Sequence, residues 1–414
     1  MKSVARLLAA IGVLFLLSVP ASLGPCIAAP GDAADLGLLW SREDGHNATT
    51  WSVRWSPDGS MLSETFFDNT TVVWNATTGR RIVKLGSHPN STAEPGTRCD
   101  WNQTCAVPSH LPTRVSAWSP DGRYLAAGGD DTVIWVFNTT DWSLDRVLSG
   151  HVGSVLTLDF SPDGRYLASG SGQDKVFYHN PPENLVKVWD FTRSVAIANM
   201  SGHRDGVLEV RWSPDGTRLV SASDDKTLRM WNTANWSYMF TLRGNAGGIL
   251  AVDWSPDGTQ LVSGTRDYMM TLWNASTGRL LANWSALNCI RSVDWHPNGR
   301  LVVSSGVGTV HVAVRNATTG AVVQSLEDNR YPVNNTPIGA VMSVRWSPNG
   351  TMLAAASGRE HILRVYAAGL ARPAVEPALP EWVLGVLVFL VIIAAAQLVT
   401  YVVMKKRLRR TERR

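Results

Sequence analysis

The 414-residue chain carries a formal charge of +4, with 17% charged and 44% hydrophobic residues. That charge is concentrated at one end: residues 405–414 hold seven basic side chains and Glu412, a net +6, which leaves the rest of the chain at −2. A near-neutral body argues against a nucleic-acid ligand, whose recognition rests on clustered cations set against phosphates.

In chain order, Met1–Ala29 reads as a secretory signal. Lys2 and Arg6 form its positive region, Leu7–Val19 its apolar run, and Cys26-Ile27-Ala28 a small-residue cleavage context. The run is short for a membrane span, so an uncleaved anchor is the second reading. Leu36–Ser41 (LGLLWS) is a short apolar strand that precedes everything periodic.

From there a repeat dominates. The segment Ser201–Asn232, SGHRDGVLEVRWSPDGTRLVSASDDKTLRMWN, holds three strands and two tight turns. VLEVRW alternates apolar and polar residues, SPDG supplies a type I turn, RLVSAS returns, and TLRMW follows the turn at Asp224-Asp225-Lys226. The turn recurs after Trp55, Trp118, Phe160, Trp212, Trp254, Trp295 and Trp346, at spacings of 63, 42, 52, 42, 41 and 51 residues. The base period is therefore 41–42 residues, with insertions at three places. In four repeats a second aromatic stands 19 residues after the first: Trp74, Phe137, Trp231 and Trp273.

Gly-His pairs (Gly45-His46, Gly150-His151, Gly202-His203), the SPDG turn and Trp-Asp or Trp-Asn pairs (Trp74-Asn75, Trp189-Asp190, Trp231-Asn232, Trp273-Asn274) together resemble the WD40 repeat over Leu36 to Tyr366. The resemblance implies an all-β, seven-bladed β-propeller with four strands per blade. The seventh repeat ends at Tyr366 without a fourth strand, so Leu36–Ser41 is expected to complete the last blade and close the ring. The resemblance also implies a structural hydrogen-bond network of His203, Ser223, Asp225 and Trp231, repeated in part by His46, Asp68 and Trp74. That reading displaces a nucleophilic triad of His203, Ser223 and Asp225.

The residue before each turn aromatic lies on the first strand, nearest the axis: Arg54, Ala117, Asp159, Arg211, Asp253, Asp294 and Arg345. Three positive and three negative charges cancel, which points to ion pairs between blades rather than a metal or anion site. Arg345 and Arg54, of like sign across the closure, do not fit that scheme.

Thirteen Asn-x-Ser/Thr sequons occur, at Asn47, Asn69, Asn75, Asn90, Asn102, Asn138, Asn199, Asn235, Asn274, Asn283, Asn316, Asn334 and Asn349. They read as glycosylation sites of a translocated surface; the bland alternative is that Asn and Thr favour turns. Cys99 and Cys105, inside the insertion 88–110, are placed for a local disulfide outside the cytoplasm, and Cys289 reads as a small buried residue.

After the repeats, residues 367–381 form an Ala/Pro-rich spacer, and Trp382–Met404 is a 23-residue segment without charge, long enough for a transmembrane helix. The basic tail that follows is expected in the cytoplasm and the propeller outside it. The three insertions fall on one face, the top. The sector of blades 3–5 there lacks sequons and offers Phe177, Tyr178, His179, Arg204, Tyr268 and Met269 as contact residues for a protein or glycan partner. No HExxH, GxSxG, P-loop, CxxC or GxGxxG motif is present, so no enzyme activity and no cofactor is expected. The sequence thus reads as a membrane-tethered, non-enzymatic interaction scaffold. The alternatives are a sensor subunit of a membrane complex and a propeller enzyme with a site at the channel mouth.

Overall fold

The computed structural model describes residues 36–43, 49–86, 112–172, 183–286, 289–307, 312–326, 340–358 and 362–368. The signal, the spacer from residue 369 on, Trp382–Met404, the tail, His46, Cys99, Cys105, Phe177, Tyr178, His179 and the sequons at Asn47, Asn90, Asn102 and Asn334 lie outside them, whereas Ala367 and Ala368, expected in the spacer, end the last strand. Among the described residues no helix is long and apolar enough to cross a membrane.

The described strands form seven antiparallel four-stranded sheets. Six are consecutive meanders; blade 4, for example, runs Val207–Trp212, Arg218–Ser223, Leu228–Asn232 and Tyr238–Leu242. The seventh is built from both ends of the fold, because Leu36–Glu43 pairs with Ile362–Ala368 outside the other two strands of that sheet. The opening strand therefore closes the ring, and it runs two residues further than the hydrophobic pattern of Leu36–Ser41 suggests.

Local chemistry explains the meanders. In each of the seven turns after the first strand the glycine takes a φ of 67° to 73°, a left-handed conformation that other residues adopt only under strain. In blade 4 the Ser213 hydroxyl accepts the amide of Arg218 at 2.9 Å and donates to Asp215. The hairpin register is thereby fixed before any packing occurs.

Packing then joins the blades. Each apolar cluster draws residues from two successive sheets: Val220, Leu228 and Met230 of blade 4 meet Ile249, Trp254 and Trp273 of blade 5. One cluster crosses the closure, where Trp40, Ala354 and Val365 of blade 7 pack on Trp55 and Trp74 of blade 1. The turn tryptophans add a stitch. Trp55, Trp118, Trp212 and Trp254 donate their indole N–H to the backbone carbonyls of Arg345, Arg54, Asp159 and Arg211 in the preceding blade, at 2.8 to 3.3 Å.

Removal of residues 36–43 strips blade 7 of its outer strand and exposes the face of Val365 and Ala354 toward Trp74. The expected result is loss of the single cooperative unfolding transition, read by circular dichroism during a denaturant titration. A shortened chain that unfolds at the wild-type midpoint contradicts closure by this strand.

Candidate functional site

The first strands bring the seven expected axial positions into one ring, and the charged ones meet. Arg211 lies 3.7 Å from Asp159 and 3.8 Å from Asp253, and Arg345 lies 3.8 Å from Asp294. These neighbour contacts are long. The shorter ones converge on Glu209, a residue outside the expected set: its Oε1 is 3.2 Å from Arg54 and 3.1 Å from Arg345, and it also contacts Arg211. Glu209 reaches across from blade 4 and bridges the like-charged pair at the closure, which neighbour pairing alone leaves unexplained. It is the only charged side chain among the seven residues that stand three before a turn aromatic (Ser52, Val115, Thr157, Glu209, Ala251, Ser292, Ser343), and that singularity is legible in the register.

Three aspartates also tie blades through the backbone. Asp159, Asp253 and Asp294 accept the amide N–H of Trp212, Trp295 and Trp346 in the next blade at 2.7 to 2.8 Å. Burial pushes Asp159 up to about 6 despite the nearby Arg211, and burial together with the adjacent Asp253 pushes Asp294 up to about 7. Asp253 is likewise raised by burial. Burial acts on Glu209 too, but Arg211, Arg345 and Arg54 outweigh it and hold this carboxylate below its ordinary range. Four carboxylates thus face three guanidinium groups, and the three aspartates take up protons more readily than exposed carboxylates do. Such a knot is structural; it leaves no unpaired sign for a substrate.

The histidine network is present with one correction. His203 donates or accepts between Asp225 (2.9 Å, Nδ1) and Ser221 (2.8 Å, Nε2), and the Trp231 indole donates to the same Ser221 hydroxyl at 2.9 Å. Ser223 lies two residues higher on the strand and instead donates to the carbonyl of Asp205 and accepts the amide of Asp225. A triad of His203, Ser223 and Asp225 is thus not assembled. In blade 1 the Trp74 indole donates to Glu64, which takes the place of the serine, whereas Asp68 accepts from Thr70 and pairs with Lys84. Blade 3 repeats the network with His151, Ser169, Trp189 and a substituted acid, Glu183, supplied from the far side of the insertion. Blade 5 lacks the histidine but keeps Trp273 on Ser263 and Thr271 on Asn245.

At the upper end of every first strand one residue drops out of register: Trp51, Arg114, Leu156, Leu208, Leu250, Arg291 and Met342. Each is a β-bulge, which re-aims its side chain. Together they form a collar at the top of the axis, mostly apolar and half-buried, with Arg114 held by Asp130 and stacked 4.3 Å from the Trp51 ring centroid. A Cβ at Gly358 would collide with Met342, and one at Gly172 with the backbone of Gly206. Sequence patterning carried the signal as a doubled apolar pair (Val155-Leu156, Val207-Leu208, Ile249-Leu250, Val341-Met342) that breaks strict alternation.

Around this collar, Arg204 is exposed at the entry to blade 4 and Tyr268 is 54% exposed with a positive φ of 68°. Met269 is half-buried at the start of its strand, with its amide donated to Thr265. Arg266 of blade 5 pairs with Asp224 of blade 4 at 2.8 Å across the same face. Cys289 is half-buried rather than buried, and burial raises its thiol. On the lower face Asn75, Asn138, Asn235, Asn274, Asn316 and Asn349 each use Oδ1 to cap their own turn. Asn69 differs: it is 2% exposed and accepts from Thr113, so a folded chain has no room for a sugar there. Among the described residues no group of acidic, His and Cys side chains is placed to hold a metal ion.

Six meanders and a seventh sheet closed by the opening strand, with the indole stitches and the His–Ser–Trp network, define a seven-bladed propeller of the repeat type. The family model described as WD domain, G-beta repeat, matches residues 39–75, 101–138, 142–190, 194–232, 236–274, 278–312 and 334–366, and the chain belongs to that family. It is 27% identical over 204 residues to Protein HIR1 of Cryptococcus neoformans, covering 45% of this chain and 21% of that protein. It is 27% identical over 224 residues to guanine nucleotide-binding protein subunit beta-2 of Nicotiana tabacum, covering 50% of each. Against protein transport protein sec13 of Aspergillus fumigatus the identity is 26% over 208 residues, covering 46% of this chain and 64% of that protein. The chain thus spans less than two thirds of the length of each of these relatives.

Two substitutions test the axial knot. Glu209→Gln leaves three buried guanidinium groups without their shared carboxylate and is expected to cost about 3–5 kcal/mol in a denaturant titration. Asp294→Asn keeps a carbonyl oxygen for the Trp346 amide but removes the titration. The folded chain holds a proton on Asp294 that the unfolded chain releases, so this group's contribution falls as pH rises from its ordinary 3.8 to about 7. His151 and His296, both depressed by burial, act in the opposite sense below their ordinary 6.5. Measured as variant minus wild type, which removes the histidine contribution, the stability of Asp294→Asn is expected to rise between pH 5 and pH 8 by roughly 2–3 kcal/mol.

Proposed function

We propose that this propeller is held on the outer side of a membrane by Trp382–Met404 and serves there as a non-enzymatic scaffold that receives a protein partner on its top face. The observation that carries the site is the collar of bulged residues. Leu156, Leu208 and Met342 are apolar, half-buried and gathered around one axis, with the exposed Arg204 and Tyr268 beside them. Apolar anchors ringed by Arg and Tyr are what protein contacts use. Three residues further along the same strands stand Asp159, Arg211 and Arg345, whose ion pairs tie the blades together below them. The family match and the relatives, one of them named as a subunit of a larger protein, support a binding role in preference to a chemical one.

The outward location rests on sequence: an apolar N-terminal run, a charge-free 23-residue segment and seven basic side chains after it. It also agrees with six sequons on turns of the lower face. A glycan ligand fits the same face, with Tyr268 as a stacking surface.

Proximity labelling from the full-length chain in intact cells identifies neighbours, and a membrane-impermeant reagent reports which side the propeller faces. The double variant Arg204→Glu/Tyr268→Glu, with wild-type thermal unfolding, is expected to lose at least about tenfold in recovery of the labelled partner, since contact anchors of this kind contribute about 1.4 kcal/mol or more. Full recovery by the variant rules out this face. Labelling only after the membrane is permeabilised rules out the orientation.

A further inference from the structure

The outer strand of each blade pairs on one side only, and such an edge invites pairing with another chain unless charge, a bulge or a covering group blocks it. Blades 1 and 2 carry charges there, with Arg81 and Lys84 in Arg81–Gly86 and Asp145 and Arg146 in Leu144–Ser149. Blades 3 to 6 carry none: VAIANM (Val195–Met200), YMFTL (Tyr238–Leu242), LLANWS (Leu280–Ser285) and VVQSL (Val322–Leu326). Their lower halves are apolar and exposed, Val195 at 47% and Leu281 at 44%. Each of these strands has a bulge in that lower half, at Ile197, Met239, Leu281 and Val323, which disrupts pairing locally. The upper halves are regular and remain open.

Two residues beyond the bulge, at the centre of the regular half, stand register-equivalent residues: Lys84 in blade 1, Asn199 in blade 3, Thr241 in blade 4, Asn283 in blade 5 and Ser325 in blade 6. Lys84 is the edge charge of blade 1. Asn199 and Asn283 are sequon asparagines, both exposed, in Asn-Met-Ser and Asn-Trp-Ser. Asn199 accepts from Lys187 through Oδ1 at 3.0 Å, which leaves that bond clear of the Nδ2 atom that takes a sugar. All six lower-face sequons described above lie in turns that already require Asn or a like residue. Asn199 and Asn283 lie within strands, where turn preference gives no reason for Asn.

We propose that Asn199 and Asn283 carry N-linked oligosaccharides that guard the uncharged outer strands of blades 3, 4 and 5 against edge-to-edge pairing with a second copy of the chain. This inference rests on the outward location proposed above. The modification is transfer from an oligosaccharyl diphosphate donor. Asn Nδ2 forms a bond to the anomeric carbon, the anomeric carbon–oxygen bond to the diphosphate breaks, and the nitrogen's proton leaves to a base as the diphosphate departs. Two bulky, hydrated groups on alternate blades flank the edge of blade 4 between them, so two sites protect three strands.

The experiment uses the full-length chain expressed in secretory cells and purified in detergent. Enzymatic removal of glycans in heavy-oxygen water marks each occupied Asn by mass, and occupancy is expected at Asn199 and Asn283 but not at the buried Asn69. No occupancy at any sequon overturns the outward location; occupancy elsewhere with both strand sites bare overturns this proposal alone. Ser201→Ala/Ser285→Ala removes both acceptors while leaving the asparagines in place. It is expected to self-associate, read as a mass of two or more chains by light scattering at concentrations where the wild type is a single chain. Adding Asn199→Lys and Asn283→Lys to that variant, which sets the charge of Lys84 at the equivalent positions of the open halves, is expected to restore the single chain, because charge does what the sugar did. A Ser201→Ala/Ser285→Ala chain that keeps the wild-type mass, or one whose association the lysines leave unchanged, overturns edge guarding.

Discussion

No sheet of this protein can bury both of its faces by itself, and every other feature follows from that. The alternating strands put apolar side chains on each side of each blade, so a blade gains burial only from two neighbours, and the ring has to close for the first and last to have any. Closure joins segments from opposite ends of the described fold, since Leu36 must find Ala368 and Glu43 must find Ile362. Such a contact forms late and is costly in loop entropy. It is also reinforced: Trp40 donates to the carbonyl of Ala76 and Arg42 to that of Gly79, so the closing strand grips blade 1 as well as blade 7.

Closing a ring of first strands brings their penultimate side chains to one axis, where charges cannot avoid each other. Pairing neighbour with neighbour is insufficient, because the order of the charges sets Asp253 beside Asp294 and Arg345 beside Arg54. Glu209 solves this from across the axis, and its cost is a fourth carboxylate in a buried place. Burial raises Asp159 to about 6, and burial with the adjacent Asp253 raises Asp294 to about 7, whereas Glu209, touched by three guanidinium groups, falls. The axial charges are therefore one coupled unit and not a set of bridges.

The turns, the period, the blade number and the closing strand were all legible in the sequence, because each rests on local chemistry or on counting. SPDG needs no tertiary context to turn. Ser223 was misassigned for the opposite reason: it and Ser221 share a strand face, and only the height of His203 against that strand decides between them. Glu64 escaped as well, since it replaces the serine beside Trp74 and only the fold shows that a carboxylate can fill the same role. The collar could be read only in part. A doubled apolar pair signals a break in alternation, but where the extra side chain points depends on the bulge.

Bulges recur at both margins of these blades, and they do different things for one reason. An extra residue in one strand of a pair bends that strand and frees one side chain from the pleat. On the first strand the freed residue sits at the top, where seven strands converge, so the side chains gather into a collar. On the outer strand it sits near the bottom, where the blades diverge, so the freed residues stay apart and the bend merely spoils the edge. Convergence turns a local irregularity into a surface, and divergence leaves it a guard. Variation in the apolar collar residues Leu156, Leu208, Leu250 and Met342 can therefore reshape the top face without disturbing the side-chain charges that meet at the axis.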